Sequence, residues 1–473
     1  MEMFSPEGWL NQTFTAVNDV LWAYLLIGAL LACGLYFTVR SRGVQFRMLG
    51  EMVRLLGESA VSAPGEGKHI STFQAFAVSI ATRVGTGNLA GVASAIAIGG
   101  PGAVFWMWLI AVIGSATSFV ESTLAQLFKS KAADSFIGGP AYYIRKGLHS
   151  RWMSHLFAVL LTITFGLSYN SIQSNTICGA MNQAFGISPL WMGVGLTVAA
   201  LAIVFGGIQR IARVSSVIVP VMAVGYFVLA LYVVITHIDA MPHVLSLIVK
   251  NAFGFEQAAG GTLGTAMMIG IKRGLFSNEA GEGSSPNVAA TACTSHPVKQ
   301  GLVQALGVFT DTLVVCSCTA FIVLVSGLYT NGEQGIMLTQ SAMSKTVGAA
   351  GPVFVAVAIF LFAFSSIIGN YYYGEANIRF ITHRKDVLQI YRVLSGGVMV
   401  MFGALASLDV VWSLGDLCMA LLTLVNLVAI VALSRYAWRL LDDYRAQKRR
   451  GVKSPVFHKS SLPEIAHDID AWE

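Results

Sequence analysis

The sequence predicts an all-α integral membrane protein of about eleven transmembrane helices, and three observations predict it. Of 473 residues, 55% are apolar and only 11% charged, with a mean hydropathy of +0.67. That balance excludes an ordinary soluble chain. Apolar stretches near the roughly 20 residues needed to cross a bilayer recur between residues 20 and 434. The basic residues are also distributed by side. Of the 30 Lys and Arg, all but five fall on one set of alternating connections or on the C-terminal stretch. Lys250 and Lys345 lie on the opposite set, and Arg83, Lys272 and Arg273 lie within spans.

In order, the expected spans are 20–39, 71–98, 102–128, 153–178, 190–206, 211–236, 259–276, 299–327, 351–376, 387–406 and 410–434. The first reads as a retained, peripheral helix, because residues 1–19 lack the basic flank of a signal peptide. Residues 41–57, with Arg42, Phe46, Arg47, Met52, Arg54 and Leu55, alternate charge and apolar groups and read as an amphipathic helix on the cytoplasmic surface. Segments 129–150 and 237–258 are the long connections, and on the external one Phe253, Gly254 and Phe255 read either as a lid over the outer vestibule or as a passive loop. The polar tail from about residue 440, with Pro455 and Pro463, reads as partly disordered. By the positive-inside rule the N-terminus is outside and the C-terminus cytoplasmic, in a plasma (bacterial inner) membrane. The net charge of +6 is thus explained by topology, and no nucleic-acid partner is expected.

Two of these spans are interrupted. ATRVGTGNLAGVA near residue 83 and IKRGLFSNEAGEGSSP near residue 273 place Gly, Ser, Thr and Asn inside apolar helical sequence. They share the spacing R-x4-N-x-A-G, from Arg83 through Asn88 to Gly91 and from Arg273 through Asn278 to Gly281. Backbone without helical partners is tolerated in a membrane only where it lines a cavity or meets a ligand. Paired breaks in corresponding positions point to a central transport site. Five helices follow from each break, an odd number, so the second half crosses the membrane inverted. The chain then divides into 1–60 (peripheral helix and amphipathic segment), 61–236 (first repeat), 237–434 (second repeat) and 435–473 (cytoplasmic tail).

The breaks suit a small zwitterion. A half-helix N-terminus offers free N–H groups to a carboxylate, and a half-helix C-terminus offers carbonyls to a cation. Asn88 and Asn278 supply oxygens or donors, with capping of the break as a compatible plainer role. Embedded charges need partners or a wet path. Arg83 and Arg273 read as salt bridges between helix ends, and Glu279 as a gating or cation-related group. Asp311 stands between a cation site and an internal ion pair. Gln173 and Asn175 either face the cavity or join helices. The six cysteines read as buried small hydrophobes; Cys316 and Cys318 are too divergent on a helix to bind metal. No hydrolase, kinase, phosphate-loop or metal-site signature is present, so neither an enzyme nor a cofactor is expected.

These residues resemble a known family. GGPGAVFWMWLIAVIG at 99–114, RVGTGNLAGVA and RGLFSNEAGEGS are similar to the alanine or glycine:cation symporters (sodium:alanine symporters) of the amino acid–polyamine–organocation superfamily. The resemblance runs from about residue 15 to 455. It implies a five-plus-five inverted repeat like that of the bacterial leucine transporter, with one extra N-terminal helix. It also implies import of a small neutral amino acid, alanine or glycine, with sodium as coupling ion. Gly85, Thr86 and Gly87 would face the substrate carboxylate, joined by Gln173, Ser277, Asn278, Gly281 and Asn370. Asn88 would help to hold one sodium, and the carbonyls of Ala81 and Val84 with Ser365 and Ser366 a second. Glu279 and Asp311 would gate or couple. Where many relatives have Trp, this chain has Asn370, which enlarges or polarises the pocket. Proton coupling and, from another class, an ion-conducting channel are the alternatives.

Overall fold

A backbone amide left without a partner in hydrocarbon costs several kcal/mol, about 4–8 by transfer to an alkane. The chain meets that cost with helix almost throughout, as a computed structural model describing residues 8–58, 70–132, 136–205, 221, 224–254 and 263–472 shows. Among these residues, seven helices are long and apolar enough to cross a membrane. They are α1 (Asn11–Arg40), α5 (Ala103–Leu127), α7 (Arg151–Phe185), α13 (Pro297–Ser326), α15 (Gly351–Ile381), α16 (Lys385–Leu405) and α17 (Leu408–Arg449). The count rises to eight if α9 (Val224–Thr236) and α10 (Ile238–Ala252), bent by 78°, form one span. The other expected spans fall on interrupted or short helices. These are α3 (Thr72–Arg83) with α4 (Gly87–Gly99), α8 (Pro189–Val204), and α11 (Leu263–Asn278) with α12 (Ser285–Ala289). Most of 206–223 and all of 255–262, including Phe255, lie outside the described residues.

The centre of the bundle is α5, buried along nearly its whole inner length and packed on α11 and α13. α1 is less detached than a peripheral helix. Its Trp22 is fully buried and donates Nε1–H to the Asp416 carbonyl at 3.3 Å, while Tyr24, Leu25 and Val39 stay exposed. The amphipathic segment forms a short turn of helix at Val44–Arg47 and then α2 (Leu49–Leu56), with Met52 and Leu55 inward and Phe46 and Val53 exposed. Burial opposes ionisation of Glu51, but hydrogen bonds from Arg54 (2.8 Å) and Tyr444 (2.5 Å), and Lys448 at 3.2 Å, overcome it and hold the carboxyl at about 2. α2 is thereby pinned to the end of α17.

Three expectations are corrected. Segment 237–258 is not an open loop: α10 occupies most of it, and Phe253 packs on Phe105 at 5.0 Å between ring centroids. The stretch between α13 and α15, passed over as a connection, contains α14 (Gly335–Val347). Polar residues lower its hydropathy, yet they face inward: Thr339 donates to the Leu89 carbonyl (2.9 Å) and Gln340 to the Ala180 carbonyl (3.1 Å). The tail is ordered. α17 runs through residue 440, and the chain then folds back, burying Phe457, Leu462, Ile465, Ile469 and Trp472. Trp472 donates Nε1–H to the Gln126 carbonyl (2.9 Å), and the Phe457 amide donates to the Ser295 carbonyl (2.9 Å). A few widely spaced apolar side chains hold it, too sparse for a composition window to register. A two-stranded hairpin, Ser130–Lys131 with Phe136–Ile137, and α6 (Pro140–Gly147) form the connection between α5 and α7.

Close helix contact depends on single glycines. A Cβ on Gly403 would lie 2.1 Å from the Ser171 carbonyl oxygen, whereas one on Gly195 meets nothing within 4 Å. Gly403→Ala is therefore expected to pry α16 from α7 and destabilise the detergent-solubilised protein by about 1–3 kcal/mol. Thermal unfolding against Gly195→Ala checks it; equal midpoints would show that the two helices separate at no cost.

Candidate substrate and ion site

The first break begins at Val84, whose ψ of 97° leaves the helix, and ends where α4 starts with a wide i→i+5 turn over Gly87–Gly91. Such turns free backbone groups and concentrate at functional places. Side chains take up the freed donors. The Asn88 Oδ1 accepts the Gly85 N–H (2.8 Å), and Gln173 Oε1 accepts both the Thr86 N–H (3.1 Å) and its hydroxyl (2.6 Å). Glycine at 85 and 87 serves close approach. A Cβ at 85 would meet Ser366 Oγ at 2.5 Å, and one at 87 would meet Ser277 Cα at 3.0 Å and Phe276 Cδ1 at 3.1 Å. The two breaks therefore touch.

The second break is built from left-handed residues: Glu279 (φ 56°), Gly281 (φ 99°) and Gly283 (φ 81°). For Glu279 that conformation is strained, of the order of 1–3 kcal/mol, and a closed ring of hydrogen bonds holds it. Asn278 Oδ1 accepts the Ala280 N–H (3.0 Å), and Glu279 accepts from Ser284 (2.5 Å). Glu121 accepts the Gly281 N–H (3.2 Å) and the Asn426 amide (2.8 Å), while Asn426 also donates to the Gly281 carbonyl (2.8 Å). Tyr169 donates to Glu282 at 3.1 Å.

Asp311 links the halves. It sits in a second wide turn, Phe309–Cys316 of α13, and accepts from Asn88 Nδ2 (2.7 Å) and Ser277 Oγ (2.7 Å). No ion pair forms at Asp311 among the described residues. Nor does Arg83 form the expected salt bridge: its guanidinium donates to the Gln304 carbonyl (3.1 Å) and Ser118 Oγ (3.3 Å), and Gly307 leaves it room. Its charge acts at longer range on Glu121, Glu279, Glu282 and Asp311. Arg273 behaves as expected, with a two-point pair to Asp416 (3.0 and 2.8 Å) and its guanidinium 4.0 Å from the Trp412 ring. Lys272 approaches the same carboxylate at 3.5 Å. Arg273, Asp416 and Trp412 line a cavity of about 240 Å³ together with Ser94 and Gln334. Beneath it the rings of Trp412, Phe276 and Tyr169 stack edge to face, with centroids 4.7 and 4.8 Å apart.

A third group of atoms lies where α15 crosses the end of α3. Ser366 Oγ lies 3.0 Å from the Ala81 carbonyl oxygen and 3.4 Å from that of Val84, and Ser365 Oγ lies 3.3 Å from the Ala81 oxygen. Four neutral oxygens thus converge from sequence positions nearly 300 apart. That donor set fits a hard monovalent cation. One turn further along α15, Asn370 is buried, and neither polar atom of its amide has a hydrogen-bond partner among the described residues. Asn175 points away and bonds the Gly403 and Ala406 carbonyls of α16. Cys316 lies against Asn88 and Ser277, while Cys318 faces elsewhere in the core. The residues that sequence reasoning missed are Glu282, Tyr169, Asn426 and Trp412. Glu282 stood in plain view in the EAGEG run; the others lie on separate helices, and nothing local marks them.

Two interrupted helices in contact, buried carboxylates and an oxygen cluster inside a lipid-facing bundle define a secondary transporter of the membrane. The chain matches the sodium:alanine symporter family over residues 7–459, and it belongs to that family. It is 54% identical over 458 residues to a probable sodium/glutamine symporter, GlnT, of Bacillus subtilis (strain 168), covering 96% of this chain and 94% of the relative. It is 50% identical over 467 residues to the amino-acid carrier protein AlsT of the same organism, covering 99% and 98%. A putative sodium/proton-dependent alanine carrier, YrbD, also from that organism, is 42% identical over 476 residues, covering 97% and 96%. The family and these relatives are transporters, not enzymes. The chain is a multi-pass, cation-coupled amino-acid symporter.

The contact at Gly87 gives a test. A methyl group there meets the backbone of Ser277, which cannot rotate away, so Gly87→Ala must separate the two breaks. Uptake in proteoliposomes is expected to fall at least tenfold in half-saturation terms, about 1.4 kcal/mol, with insertion intact. Gly179→Ala, whose nearest neighbour would be 3.8 Å away, is the matched control. Unchanged kinetics in Gly87→Ala would dissociate this contact from transport.

Proposed function

We propose that the protein imports a small neutral amino acid, alanine or glycine, together with sodium, by alternating access. The observation that carries this reading is the convergence of the Ala81 and Val84 carbonyls with Ser365 and Ser366. Sodium would replace the two hydroxyl protons as the carbonyls' partner and draw α15 against α3. Asn88, already bonded to Asp311, would contribute to a second sodium site. The substrate carboxylate would displace Gln173 Oε1 from the Thr86 N–H and hydroxyl, and Gly85 and Gly87 leave space for it. Ser277, Asn278 and Gly281 would receive the substrate from the second break, and Glu279 and Asp311 would gate or couple the movement. Eleven crossings in a five-plus-five inverted repeat would supply the two halves that alternating access needs; seven helices are long and apolar enough to span among the described residues, and the four interrupted or short expected spans would complete the count. No cofactor is involved in this reading.

Asn370 favours a second reading of the substrate. A buried amide with both ends unpartnered suits a polar side chain such as that of glutamine, which an apolar wall would reject. Proton coupling through Glu279 or Asp311 is the alternative to sodium.

Uptake of radiolabelled alanine, glycine and glutamine into proteoliposomes tests substrate and ion together. An inward sodium gradient is expected to drive accumulation, and full transport on a proton gradient in sodium-free buffer would refute the sodium assignment. The double substitution Ser365→Ala, Ser366→Ala is expected to raise the sodium concentration for half-maximal uptake at least tenfold, with little effect on substrate affinity at saturating sodium. Wild-type activity of that variant at low sodium would remove these residues from the site.

The proposed orientation puts Lys250 outside and Arg449 in the cytoplasm of a cell with this plasma-membrane protein. Cysteines at each, in a cysteine-free background, are expected to react with an impermeant reagent in intact cells at 250 and not at 449. The opposite pattern would invert the topology.

A further inference from the structure

A second cavity, of about 320 Å³, lies at the junction of α15 and α16, remote from the breaks. Arg379, His383, Arg384, Lys385 and Arg392 line it. Two carboxylates offset part of this charge. Glu375 accepts from Arg379 (2.6 Å) and lies 3.8 Å from Arg392, and Asp386 accepts from Arg384 (2.6 Å). Four cations against two carboxylates leave an excess of two positive charges, and Lys385 forms no ion pair among the described residues. Lys385 begins the 21-residue α16, which puts the positive end of that helix at the pocket. Directly along α16 from these charges come Ile390, Val393, Leu394 and Val398, all exposed. A cationic hollow that continues into an exposed apolar stripe lies at the boundary between headgroups and acyl chains.

We propose that this pocket binds the phosphate headgroup of an anionic phospholipid, whose acyl chains follow the apolar stripe of α16. Arg379 and Arg384 use their Nε and Nη2 donors on Glu375 and Asp386, and Arg392 its Nε on Tyr371, so their remaining guanidinium N–H groups would meet phosphate oxygens, and Lys385 would supply a point charge. A free phosphate would satisfy the cations but leave the stripe unused. The site has a route to the ion-binding helix. Arg392 donates Nε–H to the Tyr371 hydroxyl (3.0 Å), and Tyr391 donates to the Tyr371 carbonyl (3.0 Å), so two residues of α16 hold α15 five residues from Ser366. Glycines at 166 and 374 admit the Tyr391 ring between the helices. Lipid in the pocket would steady this junction, and binding itself does not depend on which ion drives transport.

The test uses the purified full chain in detergent, with native mass spectrometry to count bound lipid and thermal unfolding to read stability. Cardiolipin and phosphatidylglycerol are expected to bind and raise the unfolding temperature, and phosphatidylcholine is not. Arg384→Ala with Lys385→Ala is expected to weaken apparent binding at least tenfold. Lys453→Ala with Lys459→Ala, which removes as much charge from the tail, is expected to leave it unchanged. The proposal is overturned if the pocket pair binds like the wild type, if both pairs lose binding equally, or if phosphatidylcholine binds as well. Displacement of the lipid by millimolar inorganic phosphate would assign the pocket to the free ion instead.

Discussion

The structure depends on one constraint: two stretches of backbone leave the helix inside hydrocarbon, and every group they free needs a partner. At the first break the partners come from Asn88 and Gln173; at the second they come from Asn278, Glu121 and Asn426. Each of those side chains must be brought in by another helix or by the neighbouring turn. The demand therefore determines which faces of α5, α7 and α17 point inward and why they carry polar residues at depths where leucine would otherwise serve. Ser277 and Asp311 then tie the breaks to one another. Satisfying these groups with exchangeable side chains, and not with regular helix, is what leaves the centre able to trade one partner for a ligand.

Charge follows the same logic. Arg273 and Asp416 neutralise each other beside the cavity that they line, flanked by the indole of Trp412. Arg83 has no such pair among the described residues and is instead solvated by a carbonyl and a hydroxyl, so its field remains available to the acidic groups around both breaks. A directly paired arginine would spend that field on one carboxylate. Two arginines at equivalent places in a repeated motif thus differ in their partners. One closes a two-point ion pair, and the other is held by neutral oxygens.

How much of the site was legible varies with the range of the signal. Gly85, Thr86, Gly87 and Asn88 were visible because polar residues in an apolar run are a local anomaly. Ser365 and Ser366 stood out only through resemblance to a family, since two serines in a membrane helix have ordinary explanations. Glu282 lies in the same anomalous run as Glu279, whereas Tyr169 and Asn426 have unexceptional neighbourhoods, and their meeting with the break is a property of packing. The tail and α14 were missed for a related reason. Their inward residues are sparse or polar, and hydropathy averages over a window in which the buried few are outnumbered.

The sequence by itself determined that the chain crosses a membrane repeatedly, that its basic residues favour one side, and that two helices break in a matched pattern. Each of these is written in residues close together in the chain, where hydropathy, charge and backbone preference act directly. The tertiary structure decided the rest. It brought Ala81 and Val84 to Ser365 and Ser366, pressed Gly87 onto Ser277, gave Arg83 neutral oxygens as partners, and folded the tail against the bundle. Those outcomes depend on how helices far apart in sequence share a limited interior, and close packing makes that choice.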